Sequence, residues 1–419
     1  MFTRSNFIAL QHRNFRLLWT GQLISFSGST MQTAAILWHV SLLVPDNRKG
    51  LALGLVGLVR ILPIIFFSLV SGLVADVYDR RRLMLVTQTT MAVLATILAV
   101  VTFHGLSTVW PIYLLAALSS AAGAFDGPAR QSLIPNLVPR EHLPNAISLN
   151  TIMFQTASVV GPSAAGLLIA ARGLGWVYAV NAVSFLVVIA SLLLMRDVPI
   201  ANGGEKVTLN RRALTEGLHF VFSQPMIRST MLLDFFATFF SSATALLPIY
   251  AQDILHVGAR GYGWLYAGPS IGALLAGVLM VRFIDHIDRQ GAVLLWSVLG
   301  YGLSTVLFGV SRTFGITLLA LAMTGGTDAV STVLRNLIRQ LETPDRLRGR
   351  MTGVNMAFFM GGPQLGEMEA GLVANGFGAP FSVISGGIGC LIATAWIAFS
   401  SPLLPKYRRG VAAIDTKSA

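Results

Sequence analysis

The chain has 419 residues, of which 54% are hydrophobic and only 11% are charged, and its formal net charge is +12. Soluble globular proteins carry about 25% charged residues, so this composition excludes an ordinary soluble fold and indicates a membrane protein. The single cysteine, Cys390, excludes an intrachain disulfide or a cysteine-based metal site, and we expect neither a metal nor another cofactor.

Apolar stretches long enough to cross a bilayer recur along the whole sequence, since one crossing helix needs about 20 such residues. The sequence predicts an all-α membrane protein with twelve transmembrane helices. The predicted spans lie at about 15–44, 51–75, 83–105, 108–128, 146–171, 176–195, 228–251, 261–283, 291–311, 315–338, 352–375 and 379–402.

The positive charge is distributed unevenly between the two sides of the predicted membrane. Almost all lysines and arginines lie in loops on the side of the N-terminus. The opposite loops hold only Arg48, Lys49, Arg172, Arg260 and Arg312. The positive-inside rule therefore predicts a multi-pass membrane protein with both termini in the cytoplasm. The excess charge is thus explained by topology, and no nucleic-acid partner is expected.

Span one carries polar residues that share one helix face. Gln22, Ser25, Ser29 and Gln32 follow one another at intervals of three or four positions. Polar side chains in a membrane helix face away from lipid, so this stripe is expected to line a central aqueous cavity. The alternative is hydrogen bonding between tightly packed spans.

The connection between spans two and three has the pattern Gly72-x-x-x-Asp76-x-x-x-Arg80-Arg81. The glycine permits close approach of two helices. Asp76 can accept hydrogen bonds from backbone N–H groups at a helix N-terminus. Arg80 and Arg81 can reach a carboxylate on a neighbouring span. Span four ends with an acid and a base four residues apart, Asp126 and Arg130.

Span five contains Gly161, Pro162 and Gly166, which are predicted to bend the helix and to allow close packing. An ordinary packing kink is the alternative. After span six comes the longest connection between spans, residues 196–227, which includes a predicted amphipathic helix at about 211–222 lying along the membrane surface.

Spans seven and ten carry polar stripes that include ionisable groups. In span seven the stripe is Asp234, Thr238 and Ser241, and in span ten it is Asp328, Thr332, Arg335 and Arg339. An ionised carboxylate inside a bilayer costs at least about 2.5–3.5 kcal/mol, so it needs a partner, water or a proton. Asp234 or Asp328 is therefore expected to carry a coupling proton, unless Arg335 permanently neutralises Asp328.

Three further charged residues lie inside predicted spans: Arg60, Glu367 and Glu369. The two glutamates are two positions apart, so they project about 200° apart around a helix and cannot easily serve one partner. We expect one of them to pair with Arg60 and the other to face the cavity. They are also the reserve candidates for binding a proton.

The two parts of the sequence resemble each other. Leu133-Ile-Pro-Asn-Leu137 matches Leu337-Ile-Arg-Gln-Leu341. Repeats in the same orientation predict two six-helix halves related by an axis along the membrane normal. The predicted division is residues 1–195 for the first half, 196–227 for the linker, 228–402 for the second half and 403–419 for a cytoplasmic tail.

These motifs resemble those of the major facilitator superfamily over the whole chain. Phe125-Asp-Gly-Pro-Ala-Arg-Gln131 and Arg348-Gly-Arg350 resemble the branch that contains macrolide-type drug exporters and enterobactin exporters. The resemblance implies the major facilitator fold and a gating motif in which Asp126 is the carboxylate reached by Arg80 and Arg81. It also makes Gly161, Pro162 and Gly166 similar to a motif characteristic of antiporters.

The resemblance implies a secondary active transporter. We expect proton-coupled export of an amphipathic, drug-like compound by alternating access, with the small-molecule substrate, protons and the lipid bilayer as partners of a monomer. A siderophore exporter, similar to those for enterobactin, is the alternative. A non-transporting receptor or a membrane enzyme is the alternative from another class. We expect no catalytic residues, because the sequence has neither a phosphate-binding loop nor a zinc-protease motif.

Overall fold

The described part of the chain is almost entirely helical. The structure is a computed structural model that describes residues 4–196, 219–344 and 347–408. No strand occurs within these three ranges. The predicted amphipathic helix lies mostly outside the described residues, and only residues 219–223 at its end are described, as helix.

Twelve helices of 16 to 31 residues occur in the described ranges, and each corresponds to one predicted span. The first six are α1 (Arg13–Leu43), α2 (Lys49–Val77), α3 (Arg80–Phe103), α4 (Trp110–Leu133), α5 (Leu143–Arg172) and α6 (Leu174–Leu194). The second six are α7 (Pro225–Phe240), α8 (Gly258–Phe283), α9 (Gln290–Val310), α10 (Phe314–Glu342), α11 (Arg348–Phe377) and α12 (Ala379–Ser400). An irregular turn after α7 leads into a short helical segment that ends at Ile254.

Nine helices in the described part of the chain are long and apolar enough to cross a membrane. The three long helices outside this set are α1, α4 and α11. Each contains polar or ionisable residues that the sequence analysis singled out, such as Gln22, Asp126 and Glu367, and such side chains lower the mean hydropathy. The all-α membrane fold is thus confirmed, whereas the number of twelve spans stays a prediction.

The two sets of six helices share five pairs of packed helices, and the second set also packs α7 against α9 and α10. In the first set, α1 packs on α5 and α6, α3 packs on α4 and α6, and α5 packs on α6. In the second set, α7 packs on α11 and α12, α9 packs on α10 and α12, and α11 packs on α12. Adding six to each helix number converts the first set of pairs into the second. This agreement supports the internal repeat expected from the sequence.

The chain forms two compact units. Unit 1 comprises Met1–Pro45, Val59–Thr208 and Val257–Ala267, and unit 2 comprises Asp46–Leu58, Leu209–His256 and Gly268–Ala419. The units therefore differ from the predicted halves in two short segments, at the beginning of α2 and the beginning of α8. The predicted division into halves, linker and tail stays a prediction.

Glycines permit a close helix crossing within each unit. In unit 1 a Cβ atom added to Gly166 of α5 would lie 2.8 Å from the Cα atom of Gly263 in α8. In unit 2 a Cβ atom added to Gly371 of α11 would lie 2.6 Å from the Cα atom of Gly54 in α2. Both distances are shorter than a real Cβ contact allows, so only glycine fits. Gly166 therefore packs closely on another helix within unit 1. Its expected role at the interface between the two halves stays a prediction.

We expect Gly166→Ala to destabilise the protein, because its methyl group would collide with backbone atoms of Ala259 and Gly263. Overpacking of this kind costs about 1–3 kcal/mol. Gly123→Ala in α4 is the matched control, since no atom of the described residues lies within 4 Å of its added Cβ atom. Thermal unfolding of the purified protein in detergent should show a lower midpoint for Gly166→Ala alone. Equal midpoints for the two variants would contradict the tight crossing.

Candidate functional site

Four charged side chains connect α7 and α10 within unit 2, and we call them the charge network: Asp234, Asp328, Arg335 and Arg339. The Arg335 Nη2 atom lies 3.1 Å from Asp234 Oδ1 and 3.2 Å from Asp328 Oδ1. The Arg339 Nη2 atom lies 3.2 Å from Asp234 Oδ2. Two acids and two bases make the charge network neutral, which lowers the cost of placing charges inside a membrane protein.

Helical spacing places the three network members on α10, Asp328, Arg335 and Arg339, on one face of that helix. The face predicted from the sequence is present, because Arg335 donates to Asp328 and, at 2.8 Å, to the Thr332 hydroxyl. Arg339 extends from the same face to α7, where it donates to the Thr230 carbonyl at 2.8 Å. It also donates to the side-chain oxygen of Asn355 in α11. The two arginines are therefore held by three helices of unit 2.

The two acids of the charge network differ in the exposed fraction of their side chains. The side chain of Asp234 is 4% exposed and lies between two guanidinium groups. The side chain of Asp328 is 36% exposed and shares Arg335 with Asp234. Asp328 also lines a cavity of about 110 Å³ within unit 2. Only Asp328 can therefore exchange a proton with this cavity directly.

The cavity in unit 2 has a wall rich in hydroxyl groups. Apart from Asp328, its polar lining consists of Ser241, Thr244, Tyr301, Thr305 and Thr324. Ser241 and Asp328, which the sequence analysis expected at a central cavity, both line this cavity within unit 2. Their place at a central cavity stays a prediction. Thr238 uses its hydroxyl differently, because it donates to the carbonyl of Asp234 in its own helix at 2.8 Å.

The polar stripe of α1 packs partly against α6. The Gln32 side-chain oxygen accepts a hydrogen bond of 2.8 Å from Asn181 Nδ2 of α6. At Gln32 the structure thus shows hydrogen bonding between packed helices, which was the alternative considered for this stripe. Gln22 and Ser25 are buried, and Ser29 is half-buried. The sequence analysis missed Asn181, although this asparagine is preceded and followed by apolar residues in a predicted span.

The gating motif has different contacts from those expected. Arg80 donates to the Ser132 carbonyl at 2.9 Å, and Arg81 donates to the Leu192 carbonyl at 2.7 Å. No ion pair of the described residues joins Asp126 to either arginine. The expected contact is absent because Asp126 is level with a part of α3 about two turns from Arg80. Gly72 and the Asp76 side chain lie outside the residues whose contacts the structure describes.

Asp126 and Arg130 of α4 have different neighbours within unit 1. Asp126 is 5% exposed, and its Oδ1 atom accepts hydrogen bonds from Thr87 Oγ1 at 3.0 Å and Gln88 Nε2 at 2.9 Å, both on α3. Arg130 is 7% exposed and extends towards α1 and α5 instead. The acid and the base therefore do not form the ion pair that residues four apart on a helix commonly form.

The remaining predicted residues are distributed over both units. Arg60 is half-buried and belongs to unit 1, whereas Glu367 is buried, Glu369 is half-buried, and both belong to unit 2. The expected pairing of Arg60 with a glutamate stays a prediction. Gly161 and Pro162 are buried in α5, and an added Cβ atom at Gly161 would collide with α1.

Lys49 was expected only to contribute to topology, yet its buried side chain forms ion pairs with two exposed aspartates. Its side chain is 9% exposed and lies 3.1 Å from Asp253 and 2.8 Å from Asp46, all within unit 2. A lysine at a loop–helix boundary gives no sign of such a partner in the sequence, because Asp253 is 204 residues away.

Comparison with known proteins gives a family match over nearly the whole chain. A family model described as a transmembrane secretion effector matches residues 4–413. Enterobactin exporter EntS of Shigella boydii serotype 18 is 27% identical over 382 residues, which cover 91% of this chain and 90% of EntS.

Two solved structures have a similar fold. A bacterial homologue of the human lysosomal transporter Spinster, in an inward-facing and unoccupied conformation, has a TM-score of 0.75 and 15% identity, covering 96% of this chain and 99% of its own. A POT family transporter in complex with 5-aminolevulinic acid has a TM-score of 0.74 and 11% identity, covering 94% and 96%. At these identities the similarity concerns the fold alone, and it confirms the expected fold class.

We expect Asp234→Asn to destabilise the protein far more than Asp328→Asn. Removing Asp234 leaves two buried guanidinium groups without their shared acid, and breaking a buried pair costs about 3–5 kcal/mol. Removing Asp328 leaves Arg335 paired with Asp234, and a partly exposed pair contributes about 0–1 kcal/mol. Thermal unfolding in detergent measures both variants. The opposite order of midpoints would contradict the structural role of Asp234.

Proposed function

The chain belongs to the transmembrane secretion effector family of the major facilitator superfamily, and we propose that it exports a siderophore-like small molecule across the bacterial cytoplasmic membrane. The family match over residues 4–413 is the observation that carries the proposal of export. The named relative and fold neighbours are an exporter and two transporters, which confirms the expectation of a transport protein rather than an enzyme.

The proposed substrate class is the one that the sequence analysis placed second. From the sequence alone, a drug-like compound came before a siderophore. The relative that aligns with 91% of this chain is an enterobactin exporter, and this supports the siderophore class.

We propose that Asp328 carries the coupling proton and that Asp234 is a fixed counter-ion. Asp234 contacts two guanidinium groups and is 4% exposed, so positive charge encloses it on both sides. Asp328 shares a single arginine and lines the cavity. Protonation of Asp328 would leave Arg335 paired with Asp234 and would change the charge network from neutral to one positive charge. Glu367 and Glu369 are second candidates for the same role.

We also propose that the beginning of α3 takes part in gating on the side of the membrane that the positive-inside rule predicts to be cytoplasmic. Arg80 and Arg81 bind carbonyl oxygens near the ends of α4 and α6, so they hold the beginning of α3 against both helices. Loss of these contacts would release the three helix ends from one another.

Export can be tested in an iron-starved bacterial strain that lacks its own catecholate siderophore exporter. Expression of the chain should raise the extracellular siderophore concentration, and a protonophore should abolish the increase. A cationic drug and a neutral drug tested in parallel distinguish the two substrate classes. An unchanged extracellular concentration, with the protein present in the membrane, would overturn siderophore export.

The role of Asp328 can be separated from substrate binding in proteoliposomes. We expect Asp328→Asn to lower proton-driven uphill transport at least about tenfold while substrate exchange continues, because exchange needs no net proton transfer. The transport that remains should not depend on external pH between about 5 and 8. Glu141→Gln removes an exposed acid and is the matched control. Normal uphill transport by Asp328→Asn would exclude Asp328 as the carrier.

A further inference from the structure

Arg130 in unit 1 is a buried arginine beside two phenylalanine rings. Its Cζ atom lies 4.6 Å from the ring centre of Phe26 in α1 and 4.7 Å from that of Phe154 in α5. The two rings lie edge to face, with their centres 4.2 Å apart. Cation–π attraction therefore holds the guanidinium group against this aromatic pair.

The guanidinium group retains hydrogen-bonding capacity that the described residues leave unused. Arginine has five N–H donors, and the Nε and Nη1 atoms of Arg130 are buried without a hydrogen-bond partner among the described residues. Gln22, one helical turn before Phe26 in α1, is 2% exposed, and its Nε2 atom also has no such partner. Arg130 thus presents buried N–H donors next to an aromatic surface, and Gln22 presents a further buried donor one turn away from Phe26 along α1.

The obvious acceptor for these donors is occupied elsewhere. Asp126 precedes Arg130 by four residues, a spacing that favours an ion pair. Asp126 Oδ1 instead accepts from Thr87 and Gln88, and no described ion pair joins Asp126 to Arg130. Hydrogen bonds to α3 thereby separate the carboxylate from the guanidinium group, so the arginine stays available to another acceptor.

We propose that Arg130 binds the anionic group of the exported molecule, while Phe26 and Phe154 contact its apolar part. A buried N–H donor without an acceptor is unfavourable, and a carboxylate or phenolate oxygen supplies both the acceptor and the opposite charge. The exported molecule is then an amphipathic organic anion. This inference rests on the proposed function, for which it specifies the substrate class.

Binding to the purified full-length protein in detergent tests this inference without transport. The probes are 2-naphthoate, which is anionic and aromatic, and methyl 2-naphthoate, which has the same ring system without the charge. We expect wild type to bind the acid more tightly than the ester. Arg130→Gln should weaken binding of the acid by about tenfold to a hundredfold, the usual range for a lost charged hydrogen bond.

Three further variants separate binding from folding. Arg140→Gln removes an exposed arginine and should bind 2-naphthoate as wild type does. Arg130→Lys keeps the charge and should retain part of the affinity. Phe154→Leu should weaken both the acid and the ester, because it removes apolar contact. Thermal unfolding of each variant identifies any that fail to fold.

The outcomes separate this inference from the proposed export. Equal affinity of wild type for acid and ester, no binding of the acid, or unchanged binding by a folded Arg130→Gln protein would each overturn the anion site. If Arg130→Gln does not fold, the affinities of wild type and of Arg130→Lys for the acid and the ester still test the anion site. Binding that depends on Arg130 in a protein that exports no siderophore in cells would retain the anion site and reject the proposed substrate.

Discussion

The cost of an unpaired charge in a membrane protein is the constraint on which the helix arrangement of unit 2 depends. Each ionised side chain at the centre of a bilayer costs about 2.5–3.5 kcal/mol, so four independent charges would cost on the order of ten. The charge network avoids most of this cost, since Asp234 contacts both arginines and Asp328 contacts one. These contacts fix the rotation of α7 relative to α10, because other rotations would leave an arginine unpaired.

The sequence predicts contacts within one helix better than contacts between helices. Asp328, Thr332 and Arg335 were expected on one face, and the structure joins them, because helical periodicity alone determines their proximity. The partners of Gln32 and Arg80 were not predicted, because they depend on how α1 and α3 are rotated and shifted against their neighbours. Asp126 illustrates the same limit, since its position in α4 was correct while its partners on α3 were not.

The internal repeat conserves helix packing but not chemistry. The same five helix pairs occur in both sets of six helices, and a glycine-dependent crossing occurs in both units. Helices α4 and α10 occupy equivalent places in this pattern, and both carry ionisable residues. In α10 the acid and the arginine form ion pairs, whereas in α4 Asp126 and Arg130 are held apart by different neighbours. The two sets of helices therefore share a packing pattern, while the partners of each side chain decide which charged group can bind a further molecule.

The proposals for Asp328 and Arg130 together have an electrical consequence. Exporting one anion while one proton enters moves two positive charge equivalents inward in each cycle. Moving one elementary charge through a membrane potential of 100 mV contributes about 2.3 kcal/mol. With the cytoplasm negative, both movements are favourable, so such a cycle would gain about 4.6 kcal/mol from the potential, in addition to the pH gradient. Transport by this mechanism would respond to the membrane potential even without a pH difference, whereas exchange of a proton for a monovalent cation would be electrically neutral and would not.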